Sequence, residues 1–175
     1  MNVTGEGWGG KASRPWDGVL WRFPPARYLE RSLPWLGGVS MDLGKCKALK
    51  ARLGPDQYGQ IVPISEFFDG NDDLGSIGCN LDLHPGIARF RDVLTGLLKR
   101  PDVQGVYAQI SELDPGEESW PFTDTVLVAG AISTDNLRSV VSSLQPDEVG
   151  DSTQFGVSPS VAERHGSLVL VVWWD

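Results

Sequence analysis

Two segments of the 175-residue chain are apolar at almost every position, and they limit the folds open to it. They are DTVLVAGAI at 124–132 and SLVLVVWW at 167–174. Successive side chains of a β-strand point to opposite faces of the sheet, so a strand with one wet face alternates apolar and polar residues. Because neither segment alternates, both are predicted to be central strands of a sheet that is covered on both faces.

The residues around these strands predict further strands and helices. Ser133 is of a type that caps helix N-termini, and Pro85 suits the first turn of a helix. The segment VQGVYAQISEL alternates so that Val106, Ala108 and Ile110 share one face. The predicted order is β-α-β-β-α-β, with strands at 75–81, 103–113, 124–132 and 167–174 and helices at 86–99 and after Ser133.

This order is that of the split βαβ arrangement of ferredoxin-like folds. We therefore predict the α+β class, with an antiparallel sheet, a ferredoxin-like core at about 75–174 and an N-terminal β/α extension. Right-handed crossovers would place both helices on one face of the sheet. The extension would lengthen the sheet or cover its other face.

The helix at 86–99 carries apolar residues at steps of three and four, which is typical of a helix with one buried face. We expect Leu94 and Leu97 to be buried together with Val128 and Val171 of the central strands. The full apolar stripe comprises Ile87, Phe90, Leu94, Leu97 and Leu98.

The first 74 residues carry weaker patterns, within one domain predicted to span 1–175. Residues 1–16 are rich in glycine and predicted to be loose, and residues 17–74 form the extension to a core at 75–175. Strands are predicted at 18–23 and 37–43, and a helix at 45–53 that Gly54 and Pro55 end.

The charge of the chain is unevenly distributed. Its formal net charge is −8, and residues 1–65 contain nine Lys and Arg against five Asp and Glu, whereas residues 66–175 contain six against eighteen. An acidic face repels nucleic acids and anionic lipids, and it accelerates encounter with a basic protein. We therefore expect a basic protein partner, with no binding to nucleic acid or membrane.

The N-terminus lacks the basic-then-apolar pattern of a signal peptide, and no apolar run approaches 18 residues. Two cysteines, Cys46 and Cys79, are too few for a disulfide scaffold. These features predict a cytoplasmic protein with reduced thiols.

Four acids lie in the decapeptide EFFDGNDDLG at 66–75. Counted from Asp69, its acids and Asn71 fit the first three ligand positions of an EF-hand, but Leu74 stands at the glycine position and Asn80 at the final glutamate position. We therefore predict no metal site here. Asp, Asn and Gly favour a turn, because they tolerate left-handed backbone and hydrogen-bond locally.

No pattern of catalytic residues stands out. Cys79 and His84 could form a dyad or half of a zinc site, but the chain offers no ligands at a known spacing to complete one. The segment GEGWGG is not flanked by the strand and helix of a nucleotide-binding loop. We predict no cofactor and no enzymatic activity. An enzyme using unassigned carboxylates and a small-ligand or regulatory module remain alternatives.

The connection between the strands at 103–113 and 124–132 is the predicted contact with a partner. It is long and acid-rich, and binding residues tend to lie on such loops. Trp120 and Phe122 would be apolar anchors there, unless Trp120 is buried in the fold. The candidate contact residues are Glu112, Asp114, Glu117, Glu118, Trp120 and Phe122, joined by Asp69, Asp72 and Asp73 of the decapeptide.

In its acidic, tryptophan-rich character, and in the segments LVLVVWWD and WPFTDTVLVAGAI, residues 66–175 resemble small acidic immunity proteins of bacterial toxin systems. The resemblance implies a cytosolic inhibitor that neutralises a toxin by binding it.

Overall fold

The computed structural model describes residues 41–54, 59–155, 157, 159–165 and 168–175, all within one compact unit at 37–175. The predicted loose segment at 1–16 and the predicted strand at 18–23 lie outside these residues. Most of the strand predicted at 37–43 does too. Its described end leads into helix α1 (Leu43–Leu53), which Asp42 caps by accepting a hydrogen bond from the Lys45 amide.

Within the described residues, five strands form one antiparallel sheet in the order β1-β2-β3-β5-β4. Together with the helices, this sheet confirms the predicted α+β class. The strands are β1 (Gln60–Pro63), β2 (Val103–Ile110), β3 (Thr125–Gly130), β4 (Glu148–Asp151) and β5 (Val169–Trp173).

Strands β3 and β5 pair directly along their length, with Leu127 opposite Val171 and Val128 opposite Leu170. Alternate residues of each strand face opposite sides, and both sides are buried. Val126 and Val128 belong to a large core on the first face, whereas Leu127 and Ala129 belong to a smaller core on the second face. The prediction that both faces are covered is confirmed.

Helices cover the first face of the sheet. They are α1, α2 (Ile64–Phe67), α3 (Ile87–Leu97) and α4 (Thr134–Val141), and all contribute buried side chains to the larger core. As predicted, the Ser133 side chain caps α4 by accepting from the Asn136 amide. None of the described helices has the length and apolar character needed to cross a bilayer.

Helix α5 (Pro159–His165) supplies Val161 to the smaller core on the second face. The predicted cluster of Leu94, Leu97, Val128 and Val171 is therefore wrong in one member. All four side chains are buried, but Val171 lies on the second face. Side chains alternate between the two faces along β5, and that of Val171 points away from α3. Leu170 and Val172 face the helices instead.

The strand predicted at 75–81 is wrong, and the ferredoxin-like strand order falls with it. Residues Leu74–Ser76 form a 3₁₀ turn, and Gly78 has a positive φ of 63° that ends any extended run. Ile77 alone forms a bridge, to Thr123. Without a strand from this segment, β3 and β5 lie side by side, where a ferredoxin-like sheet would insert a strand between them.

Edge strands β1 and β4 were not predicted, because each is only four residues long. Strand β1 contains Pro63, which cannot donate to a ladder, and β4 has one buried apolar residue, Val149, between acids. Short, charged or proline-bearing strands are typical of sheet edges. Strand β1 extends the sheet as expected of the N-terminal extension, whereas α1 covers the first face rather than the other one.

Leu97→Ala tests the core under α3. Leu97 is fully buried. Its neighbour Leu98, which was predicted to belong to the same apolar stripe, is instead 40% exposed. We expect Leu97→Ala to lower the free energy of unfolding by about 2–5 kcal/mol, since truncation leaves a cavity. Leu98→Ala is the matched control and should cost less than about 1 kcal/mol. Equal losses in urea denaturation would contradict this packing.

Candidate partner-binding surface

The decapeptide folds into a turn organised by Asn71, whose side chain is fully buried. Its amide nitrogen donates to the Ser76 hydroxyl at 3.0 Å, and its side-chain oxygen accepts from the Asp73 amide at 3.0 Å. Its main-chain carbonyl accepts from the Arg91 guanidinium of α3 at 2.7 Å. The turn predicted from Asp, Asn and Gly is thus present, and a buried amide fixes it to the helix layer.

Asp73 connects this turn to the 111–124 connection. One carboxylate oxygen accepts from the Gly75 amide at 2.8 Å, and the other accepts from the Trp120 amide at 2.8 Å. A second contact runs from the Thr123 amide to the Ser76 carbonyl at 2.9 Å. Two acid-rich loops that lie far apart in sequence therefore form one continuous surface.

The 111–124 connection is a closed loop at its base, where Glu112 and Phe122 form an antiparallel bridge. Asp114, Glu117 and Glu118 are exposed at its outer part, and Glu112 and Phe122 are half-buried.

Trp120 is not an exposed anchor, because only 1% of its surface is accessible and it packs in the larger core. The alternative that Trp120 is buried in the fold is confirmed. Its indole N–H is buried without a hydrogen-bond partner among the described residues.

Helix α1 supplies cations to the same surface. The Lys45 ammonium lies 2.7 Å from Asp69, Lys50 lies 2.5 Å from Asp114, and Arg52 lies 2.6 Å from Glu66. Lys50 also donates to the Gly116 carbonyl at 3.0 Å. The hydrogen bond to Asp69 raises the pKa of Lys45. Part of the charge asymmetry between the two parts of the sequence is therefore compensated within the chain.

The compensation is incomplete. Residues 42–54, 66–76 and 111–124 together contain ten Asp and Glu against four Lys and Arg. Asp72, Glu117 and Glu118 are exposed and form no ion pair with the described residues, and Leu74 beside them is 52% exposed. We call residues 69–74 and 112–118 the acidic surface.

The oxygens of the rejected EF-hand pattern have other roles. Asp69 binds Lys45, while Asn71 and Asp73 hydrogen-bond within the turn. Among the described residues, no three His, Cys, Asp or Glu side chains are grouped to hold a metal ion.

His84 is committed to the backbone. Its Nδ1 accepts from the Gly86 amide at 2.9 Å, which leaves Nε2 as the donor to the Ile77 carbonyl at 2.8 Å. With both nitrogens engaged, His84 is placed to hold the 77–86 segment rather than to activate the exposed Cys79.

Sequence reasoning did not find the cations of α1, the buried Asn71 or the exposed Leu74. The helix itself was predicted, with Gly54 ending it as expected. The ion pairs of its lysines could not be predicted from local sequence, because Lys45 and Asp69 are 24 residues apart and Lys50 and Asp114 are 64 apart.

The chain belongs to the Uncharacterized protein YfbO family, whose model matches residues 44–170. The match begins in α1 and ends in β5, so it includes both loops of the acidic surface. No curated protein and no solved structure matches the chain.

Asp73→Ala tests the connection between the two loops. Removing the carboxylate leaves the Trp120 and Gly75 amides without their acceptor, and we expect a loss of about 1–3 kcal/mol in the free energy of unfolding. The adjacent Asp72→Ala is the control, because Asp72 is exposed, and it should change stability by less than about 0.5 kcal/mol. Urea denaturation of both variants decides, and equal effects would show that Asp73 does not join the loops.

Trp120→Ala should act through the fold. Because the Trp120 side chain is buried in the larger core, we expect Trp120→Ala to lower the free energy of unfolding by about 3–5 kcal/mol. This is the range for truncation of large aromatic side chains. Glu117→Ala, in the exposed part of the same loop, should be nearly neutral. Thermal unfolding followed by far-ultraviolet circular dichroism measures the stability of both variants. If Trp120→Ala left the stability unchanged, the indole would have to lie at the surface.

Proposed function

We propose that this chain is a protein-binding inhibitor, an immunity protein that neutralises a basic toxin through the acidic surface. The observation that carries the proposal is the union of two acid-rich loops by the Asp73–Trp120 and Ser76–Thr123 hydrogen bonds. The resemblance of residues 66–175 to acidic immunity proteins supports the same function.

Electrostatics favours a basic partner. The carboxylates of Asp72, Glu117 and Glu118 are exposed and pair with no cation of the described residues, so their field is available to an approaching protein. Such a field accelerates encounter and discriminates against acidic partners. Asp69 and Asp114 contribute less, since Lys45 and Lys50 already lie against them.

The apolar part of the contact is Leu74 rather than Trp120. Leu74 begins the 3₁₀ turn directly after Asp72 and Asp73 and is 52% exposed. The centre of a protein interface needs desolvated apolar area surrounded by polar groups. An exposed leucine bordered by carboxylates meets that requirement, and its backbone is fixed by the adjacent Asp73 cap.

Partner capture tests the proposal first. Wild-type protein and the Glu117→Lys/Glu118→Lys variant serve as baits in extracts of the native host. The control bait is Glu148→Lys/Glu163→Lys, which reverses two exposed acids outside both loops. We expect wild type and control to retain one basic protein that the loop variant loses, and equimolar wild type to abolish that protein's toxic activity. Capture of the same proteins by all three baits would refute this surface.

Kinetics then separate steering from anchoring. With the captured partner in stopped-flow measurements, Glu117→Lys/Glu118→Lys should slow association about tenfold or more and reduce its salt dependence. Leu74→Ala should leave the association rate nearly unchanged. It should weaken the binding free energy by about 1–2 kcal/mol of lost apolar burial, through faster dissociation. The Glu148→Lys/Glu163→Lys control should match wild type in both rates. Identical rates for all variants would mean that the partner binds elsewhere.

A further inference from the structure

Among the described residues, helix α1 makes less apolar contact with the core than α3 does, and its Leu53 packs there only partly buried. Only Cys46 and Leu49 of its eleven residues are buried, whereas α3, of the same length, buries Ile87, Phe90, Leu94 and Leu97. Helices in proteins owe most of their stability to the packing of an apolar face. The apolar contribution therefore holds α1 much more weakly than it holds α3.

Polar contacts with other described residues add to this packing. Three cations of α1 bind acids outside the helix, and the side chains of Lys45, Asp69, Arg52 and Glu66 are all more than 40% exposed. The Lys50–Asp114 pair is less accessible on the lysine side, which is 17% exposed. Exposed ion pairs are weak individually and are screened by salt.

The N-terminal end of α1 approaches the decapeptide closely. The Asp42 amide donates to the Gly70 carbonyl at 2.9 Å, and a Cβ on Gly70 would lie 2.8 Å from the Asp42 Cβ. One further contact holds the middle of the helix, where the Cys46 thiol donates to the Ser119 carbonyl at 3.3 Å. The contacts that α1 makes with described residues outside the core thus lead to the two loops of the acidic surface and to Glu66 beside them.

We propose that α1 is an electrostatically held strap, which opens from the acidic surface while the sheet and the remaining helices stay folded. Opening frees the carboxylates of Glu66, Asp69 and Asp114. A ligand rich in lysine side chains offers these acids replacement cations, so it binds the open form more tightly and shifts the population toward it. The closed strap thereby reserves Asp69 and Asp114 for ligands that can displace α1, while Asp72, Glu117 and Glu118 are exposed without such a displacement.

Cys46 reports the opening directly. Cys46 belongs to α1 and is only 2% exposed, and burial raises the pKa of its thiol. The thiol should therefore resist alkylation while α1 is closed. Cys79 is exposed and is replaced by serine to leave one reporter. When opening and closing are fast, the labelling rate of Cys46 measures the population of the open form.

The experiment measures Cys46 labelling by a maleimide in the Cys79→Ser background, together with the free energy of global unfolding under the same conditions. We expect labelling faster than global unfolding allows, and an increase when sodium chloride rises from about 0.1 M to about 1 M, as the Debye length falls from about 10 Å to about 3 Å. Lys45→Gln and Lys50→Gln should each raise the rate about two- to fivefold, and about tenfold together. Lys47→Gln is the matched control and should not raise the rate, because Lys47 forms no ion pair with the described residues.

A second arm of the experiment uses a synthetic peptide of ten lysines as the cationic ligand. It should accelerate labelling beyond sodium chloride of the same ionic strength, and this excess should disappear in Asp69→Asn/Asp114→Asn. The inference fails if Cys46 is labelled only at the rate of global unfolding, if Lys47→Gln matches the other lysine variants, or if the peptide acts no more strongly than salt. None of these measurements uses a natural partner, so their failure is distinguishable from failure of the proposed function.

Discussion

The hydrogen bond from the Trp120 amide to the Asp73 carboxylate is the contact on which the arrangement of the surface depends. It joins a turn that precedes α3 to a connection between two sheet strands, and the buried Trp120 ring fixes one end of it in the core. Asn71 fixes the other end by its hydrogen bonds to Ser76, Asp73 and Arg91. Acids that are separate in sequence are therefore held together by groups that are themselves buried.

The charge distribution of the chain has two consequences in this arrangement. Cations of α1 neutralise Glu66, Asp69 and Asp114, which lowers the repulsion that closely spaced carboxylates would otherwise exert on one another. The acids left over, Asp72, Glu117 and Glu118, retain their field toward solvent. The same set of ion pairs thus contributes to the fold, limits the surface open to a partner and makes α1 sensitive to salt.

The parts of the fold that follow from local pattern could be predicted from the sequence. The apolar runs of β3 and β5, the stripe of α3 and the Ser133 cap of α4 each occur where their residues indicate. Strand β4 could not be predicted, because Val149 is its only buried side chain and its structure depends on pairing with β5. The segment at 75–81 does not form the predicted strand, because the Asp73 cap and the positive φ of Gly78 impose turns on both sides of Ile77. For the surface, composition indicated the acidic loops, but the burial of Trp120 and the pairing of α1 with distant acids are tertiary contacts that no local pattern encodes.

Amide hydrogen exchange at Trp120, measured by nuclear magnetic resonance, tests most directly whether the two loops form one surface. If the Asp73 carboxylate holds the 111–124 connection against the decapeptide, the Trp120 amide should exchange as slowly as amides of the β2–β3 ladder, and much more slowly than those of Glu117 and Glu118 in the same connection. Exchange of Trp120 as fast as that of Glu117 and Glu118 would show that the connection moves freely, and it would contradict the account of a single acidic surface.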